Sequence, residues 1–148
     1  MNKILVIALF FSSFCFGQES ENKDIEKPIR DLFLAMKNAD PELLRASFAE
    51  NAILQTIKKE GVVKTESIPD FASSIAKASK GDLDERITIG SINIDGDLAS
   101  VFTPYQFYYK GNFSHCGANS FQLVKQNNNW KIQYIIDTRR KDNCENIK

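Results

Sequence analysis

One histidine, His115, is all the imidazole the chain has. That scarcity excludes multi-histidine metal sites, and no carboxylate cluster with ligand spacing stands in for them, so neither a metal nor another cofactor is expected. An excess of charge is missing too: 19 basic residues face 19 acidic ones, so the composition gives no reason to expect nucleic acid as a partner. The one dense basic stretch, Arg139-Arg140-Lys141, is the pattern of a solvated strand end. The chain also lacks a nucleophile elbow, a phosphate loop, a dinucleotide fingerprint and any internal repeat. A run long enough to span a membrane is absent as well, because the apolar stretch Ile4–Phe16 has 13 residues where a span needs about 20.

That short run has the grammar of an export signal: Lys3 before it, an apolar middle, and small residues at Cys15 and Gly17. The reading divides the chain into residues 1–17, a leader cleaved near Gly17, and 18–148, a single domain. No stable membrane anchor remains after cleavage. A lipidated Cys15 is disfavoured because Phe14, not a small residue, precedes it. The protein is therefore expected outside the cytoplasm, periplasmic or secreted. Cys116 and Cys144 are then an even pair in an oxidising compartment, for which a disulfide is the default.

Within the domain, Ile25, Ile29, Leu32, Phe33 and Met36 form one helical stripe, starting from Asn22 or Asp24, with Pro28 about one turn in. Asp40 and Pro41 open a second helix carrying Leu43, Leu44 and Phe48. Residues 52–58 and 62–65 form a short hairpin, and Ser67 caps a third helix. From Asp84 the pattern is strands: Arg86–Ile94 with a bend at Gly90, Asp97–Lys110 with Pro104 at a bulge or unpaired side, Phe113–Lys125, and Trp130–Thr138. Helices first and a strand meander second predict an α+β plan, with helices on one face of a bent antiparallel sheet.

The last hairpin can be put in register. A loop at 126–129 sets Lys125 opposite Trp130, Leu123 opposite Ile132, Phe121 opposite Tyr134 and Asn119 opposite Ile136. Trp130, Ile132, Tyr134, Ile136, Phe121, Asn119 and His115 then face inward, while Asp137, Arg139 and Cys116 face out. For the preceding turn, a three-residue loop at 110–112 is preferred to a two-residue one. It puts Val101, Thr103, Tyr105, Phe107 and Tyr109 inward and His115 opposite Phe107.

Polar residues on an apolar face are the candidates for function. His115 has the intrinsic pKa of a general acid or base, and the bland alternative is a hydrogen-bonded structural histidine. With Asp137 outside, it has no orienting carboxylate. Asn119 either pairs with a neighbour or faces a ligand. Tyr105 and Tyr134 are aromatic walls with a hydroxyl that can orient a ligand, and Trp130 is a core anchor.

The opener IEKPIRDLFLAMKNADPELL, the passage FAENAILQT and the strand pair SFQLVKQNNNWKIQYIIDTRR resemble the nuclear-transport-factor-2-like (SnoaL-like, cystatin-like) superfamily over roughly residues 22–140. The combination of YQFYYKGNFSHCGANSFQLVK with WKIQYIID is most similar to its exported lumazine-binding branch. The resemblance implies a cone: three helices in the mouth of a strongly curved sheet with a pocket between, and a possible homodimer through the outer sheet face. It implies a small apolar or aromatic ligand held by Tyr105, Phe107, His115, Asn119 and Tyr134. The alternatives are an isomerase, dehydratase or cyclase that uses His115, or a non-catalytic dimerisation module. Because the sequence places no carboxylate inside the cone, binding is favoured over catalysis.

Overall fold

The computed structural model describes residues 13–147, so residues 1–12 of the expected leader lie outside the described residues. Helix α1 (Ser13–Asn38) starts well before Asn22 and runs across the expected cut after Gly17. Glu19 and Lys23 meet on its exposed side at 2.9 Å, a one-turn pairing that favours helix ahead of the apolar stripe. Pro28 consequently sits mid-helix, where it leaves the Asp24 carbonyl without its usual amide donor. The stripe is as expected: Ile25, Ile29, Leu32, Phe33 and Met36 are buried.

Asp40 caps α2 (Pro41–Ser47), its Oδ1 accepting from the amides of Glu42 (3.1 Å) and Leu43 (3.0 Å). Phe48, expected on that helix, instead opens β1 (Phe48–Ile57). Strand β2 (Val63–Glu66) pairs back on β1, and Ser67 caps α3 (Ile68–Ile75) by accepting from the Asp70 amide at 3.1 Å.

The strands that follow are β3 (Leu83–Ile87), β4 (Ser91–Asp95), β5 (Leu98–Tyr109), β6 (Asn112–Gln126) and β7 (Asn129–Thr138). The single strand expected over Arg86–Ile94 is thus two, both paired with β5. Pro104 faces the break between them, its carbonyl accepting from Thr88 N at 3.0 Å, so its missing amide interrupts no continuous ladder. The sheet order is β2-β1-β7-β6-β5-β3, with β4 beside β5. The α+β plan is as expected. The departure from a pure meander is that β1 lies parallel to β7.

Two bulges decide which residues face the helices. The β6–β7 register begins as expected, with Lys125 opposite Trp130 and Leu123 opposite Ile132. Gln133 is then an extra residue, so Gln122 pairs with Tyr134, Phe121 with Ile135 and Asn119 with Asp137. A bulge reverses every later side chain. Ile135 and Asp137 therefore turn inward and are buried, while Tyr134 moves to the outer face, where its hydroxyl donates to Gln55 Oε1 at 2.8 Å. The expected inward placement of Tyr134 and Ile136, and outward placement of Asp137 and Arg139, are corrected accordingly. At the other turn, Tyr109 pairs with Asn112 around the two positive-φ residues Lys110 and Gly111, a two-residue loop and not the preferred three. A bulge at Ser114 then restores the expected face, with Phe107 opposite His115.

The core lies between this face and α1–α3. Phe121, Leu123, Ile132 and Val101 from the sheet meet Ile25, Ile29, Leu32 and Leu44 from the helices. Phe33 meets Phe121 edge to face, with centroids 6.2 Å apart. Among the described residues, no helix is long and apolar enough to cross a membrane.

Candidate functional site

Where the core ends towards α3, a cavity of about 450 Å³ opens between the helices and the sheet. Leu32, Met36, Phe71 and Ile75 supply its helical wall, and Leu54, Leu83, Phe107 and Ile135 its apolar sheet wall. Ser74 and Lys77 add polar groups from α3 and the turn after it, and most of the other polar residues come from cross-strand rows of the sheet. One row is Glu85–Phe107–His115 across β3, β5 and β6. The next is Ile87–Tyr105–Gly117, and a third is Thr103–Asn119–Asp137–Thr56. Antiparallel partners share a face, which is why groups remote in sequence converge here.

Gly117 permits the convergence. A Cβ on it would lie 1.8 Å from the Thr138 carbonyl oxygen and 2.8 Å from Tyr105 Cε1. Its bare backbone lets the end of β7 and the Tyr105 ring close over it. Tyr105 then donates to the Thr138 carbonyl at 2.9 Å and approaches Asp137 Oδ2 at 3.4 Å. Beyond Thr138 the chain is held by the Cys116–Arg140 backbone bridge and by the Cys116–Cys144 disulfide. Cys116 faces away from the cavity, as expected, but it is buried under this C-terminal segment.

The two carboxylates differ in environment. Asp137 is fully engaged: Thr56 Oγ1 donates to Oδ1 at 2.6 Å and Arg139 Nε to Oδ2 at 2.8 Å. Arg139 Nη2 also donates to Thr56 Oγ1 at 3.1 Å, closing a triangle. Burial works against the Arg139 charge, yet Asp137 holds its pKa above the usual value. Glu85 has no cationic partner among the described residues; Asn119 Nδ2 donates to its Oε1 at 3.0 Å. Burial raises the Glu85 pKa from 4.5 to about 7; the Asn119 hydrogen bond opposes the rise, the Asp137 charge adds to it and the Arg139 charge opposes it. Burial, helped by Arg139, lowers the His115 pKa. Near neutral pH the histidine is therefore uncharged while Glu85 is divided between acid and carboxylate. Burial, with Glu85 and Asp137 nearby, also raises the Tyr105 pKa, so it stays a phenol.

Of the residues singled out from the sequence, Tyr105, Phe107, His115 and Asn119 line the cavity and Tyr134 does not. His115 packs between Tyr105 (centroids 5.7 Å apart) and Phe107 (5.1 Å), with Nδ1 against Ser114 Oγ at 3.0 Å. Glu85, Asp137 and Arg139 line the cavity without having been anticipated there. Asp137 follows a stretch, Gln133–Ile136, whose apolar residues fit either phase, so its inward placement had no local signal. Glu85, in the charged run LDERI, carries none either. Among the described residues no three His, Cys, Asp or Glu side chains are placed to hold a metal ion. Chemically, the cavity offers apolar walls with a carboxyl group at one end of the Phe107 row and a neutral imidazole at the other.

Comparison with known proteins fits this architecture. No curated protein matches the chain. Solved structures that resemble it include an NTF2-like protein of unknown function from Shewanella baltica OS155 (17% identity, 83% of this chain and 96% of that one, TM-score 0.67). Another, from Silicibacter pomeroyi DSS-3, is also an NTF2-like protein of unknown function (17%, 83% and 98%, TM-score 0.68). A "putative dehydratase" from the NTF2-like family of Streptomyces avermitilis has 13% identity over 83% and 98% of the two chains, at a TM-score of 0.67. At these identities the likeness is one of fold. A family model described as "Putative lumazine-binding" matches residues 20–134. The chain belongs to that family, and its fold is the NTF2-like, cystatin-like α+β cone.

Proposed function

We propose that this protein binds a small, flat, largely apolar molecule in the cone cavity. The observation that carries the reading is the cavity itself: about 450 Å³, with apolar side chains on both walls and most of its hydrogen-bonding groups on adjacent sheet rows. Ligand sites are commonly built so, at roughly 300–1,000 Å³ with a few placed polar groups. The family description supports an aromatic heterocycle as the ligand type. Native mass spectrometry of protein purified from its own host tests the reading. A retained adduct of a few hundred daltons, lost on denaturation, is expected. A bare protein that also takes up nothing from a host metabolite extract overturns it.

A second reading, proton-transfer catalysis of the isomerase or dehydratase kind, is favoured by one observation: Glu85 and neutral His115 flank Phe107 in a single row. Its test is deuterium exchange into enolisable ketones, followed by NMR, with Glu85→Gln and His115→Ala. Exchange at the buffer rate with all three proteins eliminates it.

Export belongs to the same proposal, supported by the leader pattern and by the paired cysteines. The intact mass of protein from the extracellular or periplasmic fraction should correspond to a chain starting at Gln18. A homodimer through the outer sheet face is supported by Ile53 and Phe102, both nearly half exposed there. Light scattering that gives a monomer mass at micromolar concentration removes it.

A further inference from the structure

Glu85 differs from the carboxylates nearest to it on the sheet, Asp84 and Asp137. Asp137 has Arg139, and Asp84 on the opposite face of β3 has Lys37 and Arg86 at 2.9 and 3.0 Å. Glu85 faces the cavity without an ion-pair partner among the described residues, one oxygen fixed by Asn119 and the other without a hydrogen-bond partner among them. Asn119, itself only 3% exposed, is fixed in turn, donating to Thr103 Oγ1 at 3.3 Å. The free oxygen therefore has a defined position beside Phe107. The remaining charges lining the cavity cancel, Lys77 and Arg139 against Glu66 and Asp137. The lining is electrically balanced only when Glu85 carries its proton.

We propose that the molecule held here is a neutral flat ring system with a hydrogen-bond acceptor on one edge, and that Glu85 receives this acceptor as a carboxylic acid. The proposal rests on the binding reading above and specifies its ligand class. The ring lies along Phe107. Its acceptor, a carbonyl oxygen or ring nitrogen, takes the Glu85 proton in a hydrogen bond, and its far edge meets His115 Nε2, which has no protein partner among the described residues. A partly buried carboxyl that keeps its proton is a stronger donor there than in bulk water, where solvent competes for it. The upward shift of its pKa, from burial first, agrees with that role.

Three matched probes on one bicyclic frame test the idea by ligand-observed NMR between pH 6 and pH 8: 1-indanone (acceptor), indane (neither) and 1-aminoindane (cation). The expected result is that 1-indanone binds best and that its affinity falls about tenfold from pH 6 to pH 8, following the protonated fraction of Glu85. Glu85→Gln, which keeps a donor, should bind 1-indanone without that pH dependence. Tighter binding of 1-aminoindane that grows with pH overturns the proposal, because Glu85 then acts as an anion. Equal, pH-independent binding of all three also overturns it but leaves the binding reading intact. Binding of none at millimolar concentration removes both. The amide spectrum of Glu85→Gln, compared with that of the parent, separates loss of binding from loss of fold.

Discussion

Glu85 makes stability depend on pH in an unusual direction for a carboxylate. Its folded pKa of about 7 lies above the unfolded 4.5, so the folded state holds the proton more tightly. The contribution is complete below about pH 4.5 and is lost as pH rises through 7. Urea midpoints should therefore fall between about pH 5 and pH 8, with up to about 3 kcal/mol at stake. His115 opposes this, because its lowered pKa costs stability as pH falls below its usual 6.5. The difference between the parent and Glu85→Gln isolates the carboxyl, and identical pH profiles for the two would contradict the assignment. Gly117 sets a second limit at this scale. Gly117→Ala places a methyl 1.8 Å from a backbone oxygen, where no rotamer change can help. A loss of about 3 kcal/mol or more is expected in chemical denaturation, with the Tyr105–Thr138 contact broken.

Elements whose ends are fixed by local chemistry were legible in the sequence. Asp40 and Ser67 cap the helices they precede, and Asp40→Ala should cost about 1 kcal/mol in thermal or urea melts. His115 and Asn119 could be placed because they keep the alternating phase of Phe121 and Leu123 along β6, and the bulge at Ser114 offsets the two-residue turn so that Phe107 still faces His115. β7 was legible only up to Gln133. Gln133-Tyr134-Ile135-Ile136 fits either phase, since Tyr134 and Ile136 are as apolar as Ile135. Only the parallel pairing with β1 selects the phase, setting Leu54 beside Ile135 and Thr56 beside Asp137. That is a contact between residues some eighty positions apart, which no local pattern encodes. This one extra residue hid the inward placement of Asp137.

At the scale of the molecule, one sheet serves two purposes. Its inner face is core at one end and cavity at the other, and its last strand contributes to both. Trp130 and Ile132 are buried with the helices, and Asp137 and Arg139 line the cavity. The disulfide holds the segment that follows, and Gln106 Nε2 donates to the Glu145 carbonyl at 2.6 Å on the same side. Replacing Cys116 and Cys144 by serine closes no loop in the unfolded chain and should lower stability by about 2–4 kcal/mol, measured against the oxidised parent in urea. An unchanged midpoint would mean that the bridge constrains little. The crossing over Gly117 also has a consequence for timing. Asp137 and Arg139 lie at the end of β7, so a chain that emerges N-terminus first completes the cavity lining only after α1–α3 and β1–β6 have been made. Thr138 can settle on Gly117, and Cys144 can reach Cys116, only after that.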